Sequence, residues 1–341
     1  MTKDGRTNSQ FSSSREIFLA LDALRGLAAI GVLTTHADDY FGSFALRGGH
    51  LAVDLFFCIS GAVISHAYGP RMDQGLSSSM FMRLRLIRLF PLMLLSVVLV
   101  AGPALIGIVR GKGTLSEVAL IVGPSALALP NPLTSELFPA NVALWSLFFE
   151  LVINLIAAIF WRTLSTSRLI GLVGLSAVAL CVVSGDGLTG GPTWDSFHTG
   201  LARASFSFFA GMLVYRLCPK FPVVMPTAIL LVIVAVVLAL APALGRAGPL
   251  LSVLIVFPAV VAAGMAVQTK FGTVYALLGR LSYAFYVLQI PLIILFRKAA
   301  GPGAPLLGLV LFLVAASYFA DRWFDTPARK FLLKLTKSPR D

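Results

Sequence analysis

Apolar runs close to 20 residues long recur from residue 17 to residue 322, and nothing else constrains this chain as strongly. Each is long enough to cross the roughly 30 Å of hydrocarbon in a bilayer as a helix. The chain is 57% hydrophobic and only 12% charged, whereas soluble domains carry about a quarter charged residues. These features predict an all-α, polytopic integral membrane helical bundle. About ten spans can be drawn, at roughly 17–36, 49–68, 89–109, 142–160, 168–184, 199–217, 222–242, 248–268, 278–296 and 304–322. Residues 1–16 read as a disordered cytoplasmic tail, 17–322 as the transmembrane domain and 323–341 as a basic cytoplasmic tail. The first apolar segment is too long, and too interrupted by Asp22 and Arg25, for a cleaved signal peptide.

Charge sets the expected orientation. A net charge of +12 would suggest nucleic acid in a soluble protein, but here it fits basic loops on one side of a bilayer. With both termini inside, 19 of the 27 Lys and Arg fall in cytoplasmic segments and six in outer ones, while Arg25 and Arg203 lie within spans. No nucleic-acid partner is expected. Cys58, Cys181 and Cys218 show neither metal-ligand spacing nor a disulfide framework.

The segment Leu21–His36, LDALRGLAAIGVLTTH, carries the strongest functional signal. Arg25 and His36 are eleven residues apart, almost three helical turns, so they share a face about 16 Å apart along the axis. Asp22, three residues before Arg25, can pair with it. A charge inside a membrane helix is costly unless paired or wetted, which marks a functional candidate; a structural Asp22–Arg25 pair with His36 as a polar helix end is the plainer alternative.

Further along, Gly48 and Gly49 permit an unusual backbone or the close approach of a ligand, and Asp54 lies near the outer end of the second span. Arg83, Arg85 and Arg88 crowd the membrane in a loop before Pro91. Such a cluster anchors topology or meets lipid headgroups, or it binds the phosphates of a cytosolic ligand. Residues 110–141, rich in proline, exclude a regular spanning helix over most of their length, although part is apolar enough to dip into the membrane or cover a site. Glu150, near the centre of the fourth span in NVALWSLFFELVINL, must be neutral, paired or facing a wet cavity. Ser146 shares its face, with Trp145 beside it. Together, His36 and Glu150 make a candidate acid–base pair. The remaining charges read blandly: Asp186, Asp195 and His198 as solvated, Arg203 as snorkelling to headgroups. Ser282, Tyr283, Tyr286 and Gln289 form a polar stripe that glues helices.

Five motifs in order, LDALRGLAAIGVLTTH, VDLFFCISGAVIS with RLRLIRLFPL, WSLFFELVINL, GRLSYAFYVLQIPLI and FDTPARKFL, resemble those of the membrane acyltransferase-3 family over about residues 17–333. The resemblance implies an enzyme that moves acyl groups, commonly acetyl from acetyl-CoA, onto hydroxyls of carbohydrates or other small molecules, with no metal. It implies His36 as general base, Arg25 as its signature partner and Glu150 as the acidic residue of the site; Asp22 joins them from its burial and motif position. Arg83 and Arg88 would contact the CoA phosphates, with Arg85 the weaker member if it points from another helical face. Asp54, Gly48, Gly49 and Trp145 are the candidate acceptor contacts. Two departures stand out: Gln289 replaces a histidine common in relatives, and Asp325 replaces a glutamate. No fused hydrolase-like domain is expected beside the membrane module. The expected activity is O-acylation of an extracytoplasmic glycan such as exopolysaccharide or lipopolysaccharide, in a bacterial inner membrane. Acylation of a small metabolite or lipid-linked sugar, or proton-coupled transport, are the rivals.

Overall fold

The computed structural model describes residues 19–217, 225–267, 269, 271–301 and 303–336. The 1–16 tail lies outside the described residues. Among those described there is no strand; Glu136 and Thr193 form an isolated bridge. The bundle is built from α1 (Leu19–His36), α2 (Ala52–Asp73), α3 (Ser78–Val109), α4 (Leu115–Ala126), α5 (Leu144–Phe160), α6 (Thr166–Val183), α7 (Phe197–Leu217), α8 (Thr227–Leu240), α9 (Phe257–Ala266), α10 (Gly272–Ala300), α11 (Leu306–Phe319) and α12 (Thr326–Thr336). A π turn over Ala320–Asp325 joins α11 to α12, so the segment read as a basic tail begins as helix.

Eight helical stretches among the described residues are long and apolar enough to cross a membrane. This is a multi-pass membrane protein. The two other long helices, α1 and α7, have 18 and 21 residues but are diluted by Asp22, Arg25 and His36 in the first and by His198, Arg203 and Arg216 in the second. Each lies along a neighbour running the same way. On α1, Gly26 packs against Leu278 of α10, and just past its end Tyr40 meets Phe296. On α7, Arg203 pairs with Asp54 and Tyr215 with His66, both at an offset of 149 positions. The helices α2 and α7 touch at backbone distance: a Cβ at Gly61 would lie 2.0 Å from the Phe208 carbonyl oxygen, and one at Gly211 would lie 1.9 Å from that of Cys58. Glycine is what permits this approach. The periphery is apolar and outward-facing, as at Leu175, Val182, Val232 and Leu311, as lipid requires.

The third span differs most from the sequence reading, which left residues 69–88 as a loop. Helix α3 starts eleven residues before the expected boundary: the Ser77 hydroxyl caps it by accepting the Met80 N–H at 3.2 Å. The helix then runs 32 residues through Pro91 and Pro103, and Arg83, Arg85 and Arg88 are all helical. In the proline-rich segment, α4 is a 12-residue helix closed by a Thr114–Glu117 capping box. It leaves Leu115, Leu120 and Ile121 exposed.

Candidate active site

Helices α1, α2, α3, α5 and α10 enclose a cavity of about 160 Å³ in the body of the bundle. Its walls are apolar, with Phe56, Phe57, Leu89 and Leu147 among them, but Arg25, Arg85, Arg88, Glu150, Ser60, Ser146, Ser282, Tyr283 and Tyr286 also line it. Glu150 is held from two sides, accepting from the Ser60 hydroxyl at 2.7 Å and from the Arg85 guanidinium at 2.5 Å. The Arg85–Glu150 pair is largely buried, and charge-assisted bonds of this kind fix geometry as well as charge. Arg25 has Asp22 at 4.0 Å, one turn back on α1. Ser146 and Tyr286 share a hydrogen bond of 2.6 Å, while the Tyr283 hydroxyl donates to the Leu89 carbonyl. Three guanidiniums and one carboxylate thus line the cavity, with Asp22 and Asp325 just outside it as partners of Arg25 and Arg88.

Arg88 belongs to two places at once. Besides lining the cavity, it lines a groove of about 460 Å³ at the end of the bundle where α3 begins, together with Arg71, Arg329 and Lys330. Its guanidinium lies over the Tyr283 ring at 5.6 Å and 3.8 Å from Asp325. The π turn sets Asp321 and Asp325, both buried, beneath a group of cations: Arg280 donates to Asp321 at 2.6 Å, and Arg329 pairs with Asp325 and, at 3.5 Å, with Asp321.

At the opposite end, Arg203 is 1% exposed, so it does not snorkel. Its guanidinium donates to both Asp54 oxygens, at 2.6 and 3.2 Å. It also donates to the carbonyls of Gly190 at 2.8 Å and His50 at 3.0 Å, and it lies over the Trp145 ring at 5.2 Å. Asp54 and Trp145 thus serve Arg203 and stand apart from the cavity lining. Gly48 and Gly49 are packing glycines: Gly48 donates its N–H to the Leu238 carbonyl at 2.8 Å, and a Cβ at Gly49 would lie 2.1 Å from the Gly31 carbonyl oxygen. The close approach expected there is to the protein's own helices.

The structure therefore brings Arg25, Arg85, Arg88 and Glu150 together and leaves others outside. His36 is not among the residues lining this cavity, and Glu150 is bonded to Ser60 and Arg85, so the two are not paired. The His36 Nδ1 is buried without a hydrogen-bond partner among the described residues. Asp22 reaches the cavity only through Arg25. In α3, Arg85 and Arg88 are three residues apart and share a face, whereas Arg83 is exposed on another. Of the three arginines, Arg85 and Arg88 line the cavity and Arg83 does not. The sequence reading passed over Ser60, although it lies inside VDLFFCISGAVIS beside Gly61, and it treated Tyr283 and Tyr286 as helix glue.

A multi-pass helical bundle enclosing a charged cavity that adjoins a basic groove is the class these features define. The chain belongs to the acyltransferase-3 family: that family's acyltransferase domain matches residues 18–320. It is 34% identical over 189 residues to "Protein 2 in picA locus" of Rhizobium radiobacter, an alignment covering 51% of this chain and 98% of that protein. No solved structure matches.

Proposed function

We propose that this acyltransferase moves an acetyl or other short acyl group from cytosolic acyl-CoA to a hydroxyl of an extracytoplasmic glycan, in the bacterial inner membrane. The single observation that carries the reading is the double position of Arg88. A donor whose phosphates rest among Arg71, Arg329 and Lys330 has its acyl-bearing arm directed past Arg88 into the cavity. Arginine suits such phosphates because its planar fork binds them bidentately. In the cavity, Arg25 and Arg85 line the path of that arm, and Glu150 holds Arg85 in place, so that the thioester is carried on to His36, about 16 Å from Arg25 along α1. There His36 is the general base that takes the acceptor hydroxyl's proton as its oxygen attacks the thioester carbonyl, the C–S bond breaks and CoA leaves as its thiol. The end bearing Arg71, Arg83, Arg162, Arg168 and Lys330 faces the cytoplasm, as the positive-inside rule predicts.

Transfer of label from [14C]acetyl-CoA to alkali-labile esters in inside-out membrane vesicles tests this. Glu150→Gln and His36→Ala are each expected to lower transfer at least a hundredfold, with the protein still inserted at its normal level. Near-normal transfer by either variant removes that residue from the mechanism, and no transfer by the unaltered protein rejects the reading itself. Trapping a labelled peptide after brief mixing separates an acyl-enzyme from direct transfer; ternary-complex kinetics exclude the covalent route.

A further inference from the structure

Gln289, read from the sequence as part of a polar stripe that glues helices, makes no such bond among the described residues and is not among the residues lining the cavity. It lies wholly buried within α10, and neither its amide nitrogen nor its amide oxygen has a hydrogen-bond partner among the described residues. A primary amide carries two donors and two acceptor lone pairs. Leaving all of them unused away from water is unfavourable, and methionine would fill the same volume without that cost.

Position supplies the reason. Gln289 follows Ser282 by seven residues and Tyr286 by three, so the three share a helical face, and the first two line the cavity. Going along α10 away from the basic groove, Gln289 is one turn, about 4.5 Å, past Tyr286. Helix α1 runs alongside in the same direction, with Gly26 against Leu278 and Tyr40 against Phe296. His36, one turn before Tyr40, is level with Gln289 to within about a turn, and its Nδ1 is also buried and unpartnered among the described residues. Gln289 and His36 are thus two buried polar side chains at one level of the bundle, each with ring or amide atoms left unpartnered among the described residues.

We propose that Gln289 binds the acceptor: its amide donates to one hydroxyl of a vicinal sugar diol and accepts from the neighbouring one, holding the reacting hydroxyl for His36. This rests on the acyltransferase reading and names its acceptor class as a polyol. The test uses Gln289→Met, nearly isosteric but without hydrogen-bonding atoms, and Gln289→His, which restores a polar group. In inside-out vesicles given [14C]acetyl-CoA, Gln289→Met is expected to lower ester formation at least tenfold. The purified variant is expected to unfold at an equal or higher temperature in detergent and to bind acetyl-CoA within twofold of the unaltered protein, while Gln289→His recovers part of the transfer. Full transfer by Gln289→Met overturns the proposal, as does a loss of transfer matched by lost folded protein or weakened acetyl-CoA binding. Failure of transfer by the unaltered protein overturns the acyltransferase reading instead, so the two failures are told apart.

Discussion

Arg203 is a full charge sealed inside the bundle, and its every neighbour is arranged around that fact. Both oxygens of Asp54, two backbone carbonyls and the Trp145 ring surround the guanidinium. Removing one member of such a pair leaves the other buried and uncompensated, at a cost of about 3–5 kcal/mol. Arg203→Leu is therefore expected to lower the unfolding temperature in detergent sharply, and Arg203→Leu with Asp54→Leu to recover much of the loss. Equal unfolding temperatures for Arg203→Leu and the unaltered protein would contradict this. Sequence alone flags both charges, because each lies in an apolar run, but their pairing depends on α2 and α7 lying parallel at an offset of 149 positions. For the same reason Asp54 looked like an acceptor contact. Glu150 was legible as a charge needing a partner; that Arg85 is that partner followed only once α3 was known to be helical through residue 85.

Among the elements, α2 and α7 define the closest crossing, and its tolerance is measurable. Gly61→Ala and Gly211→Ala each drive a methyl group into opposing backbone, so overpacking is expected to cost about 1–3 kcal/mol or more. Gly171, in α6, has nothing within 4 Å of its would-be Cβ, and Gly171→Ala is expected to be neutral or stabilising by up to about 1 kcal/mol. Unfolding temperatures in detergent check the contrast; three equal values would contradict it. Helix boundaries set by hydropathy came within a few residues for most spans. They failed at α3 because its first three turns carry Arg83, Arg85 and Arg88, so a charged stretch of helix looked like a loop. The same dilution keeps α1 and α7 outside the eight most apolar helices, although their apolar runs read as spans and both are long helices with heavily buried sides.

For the molecule as a whole, apolar side chains face outward, and Arg25, Arg85, Arg88 and Glu150 gather at an interior cavity that adjoins the basic groove. The recurring apolar runs made the helical class and the basic end readable, whereas the cavity was not, since its lining comes from five helices spread across the chain. The orientation has a direct consequence: a membrane-impermeant thiol reagent added outside intact cells should label Phe44→Cys, at a position 82% exposed, and spare Lys334→Cys. The opposite pattern would contradict the assignment of the basic end to the cytoplasm.

Arg88 stands between the groove and the cavity, while Arg83, five residues earlier, points elsewhere. Calorimetric titration of the purified protein with acetyl-CoA tests that most directly. Arg88→Ala is expected to weaken binding at least tenfold, and Arg83→Ala to leave it within twofold. Equal affinity for Arg88→Ala and the unaltered protein, or equal losses in both variants, would contradict it.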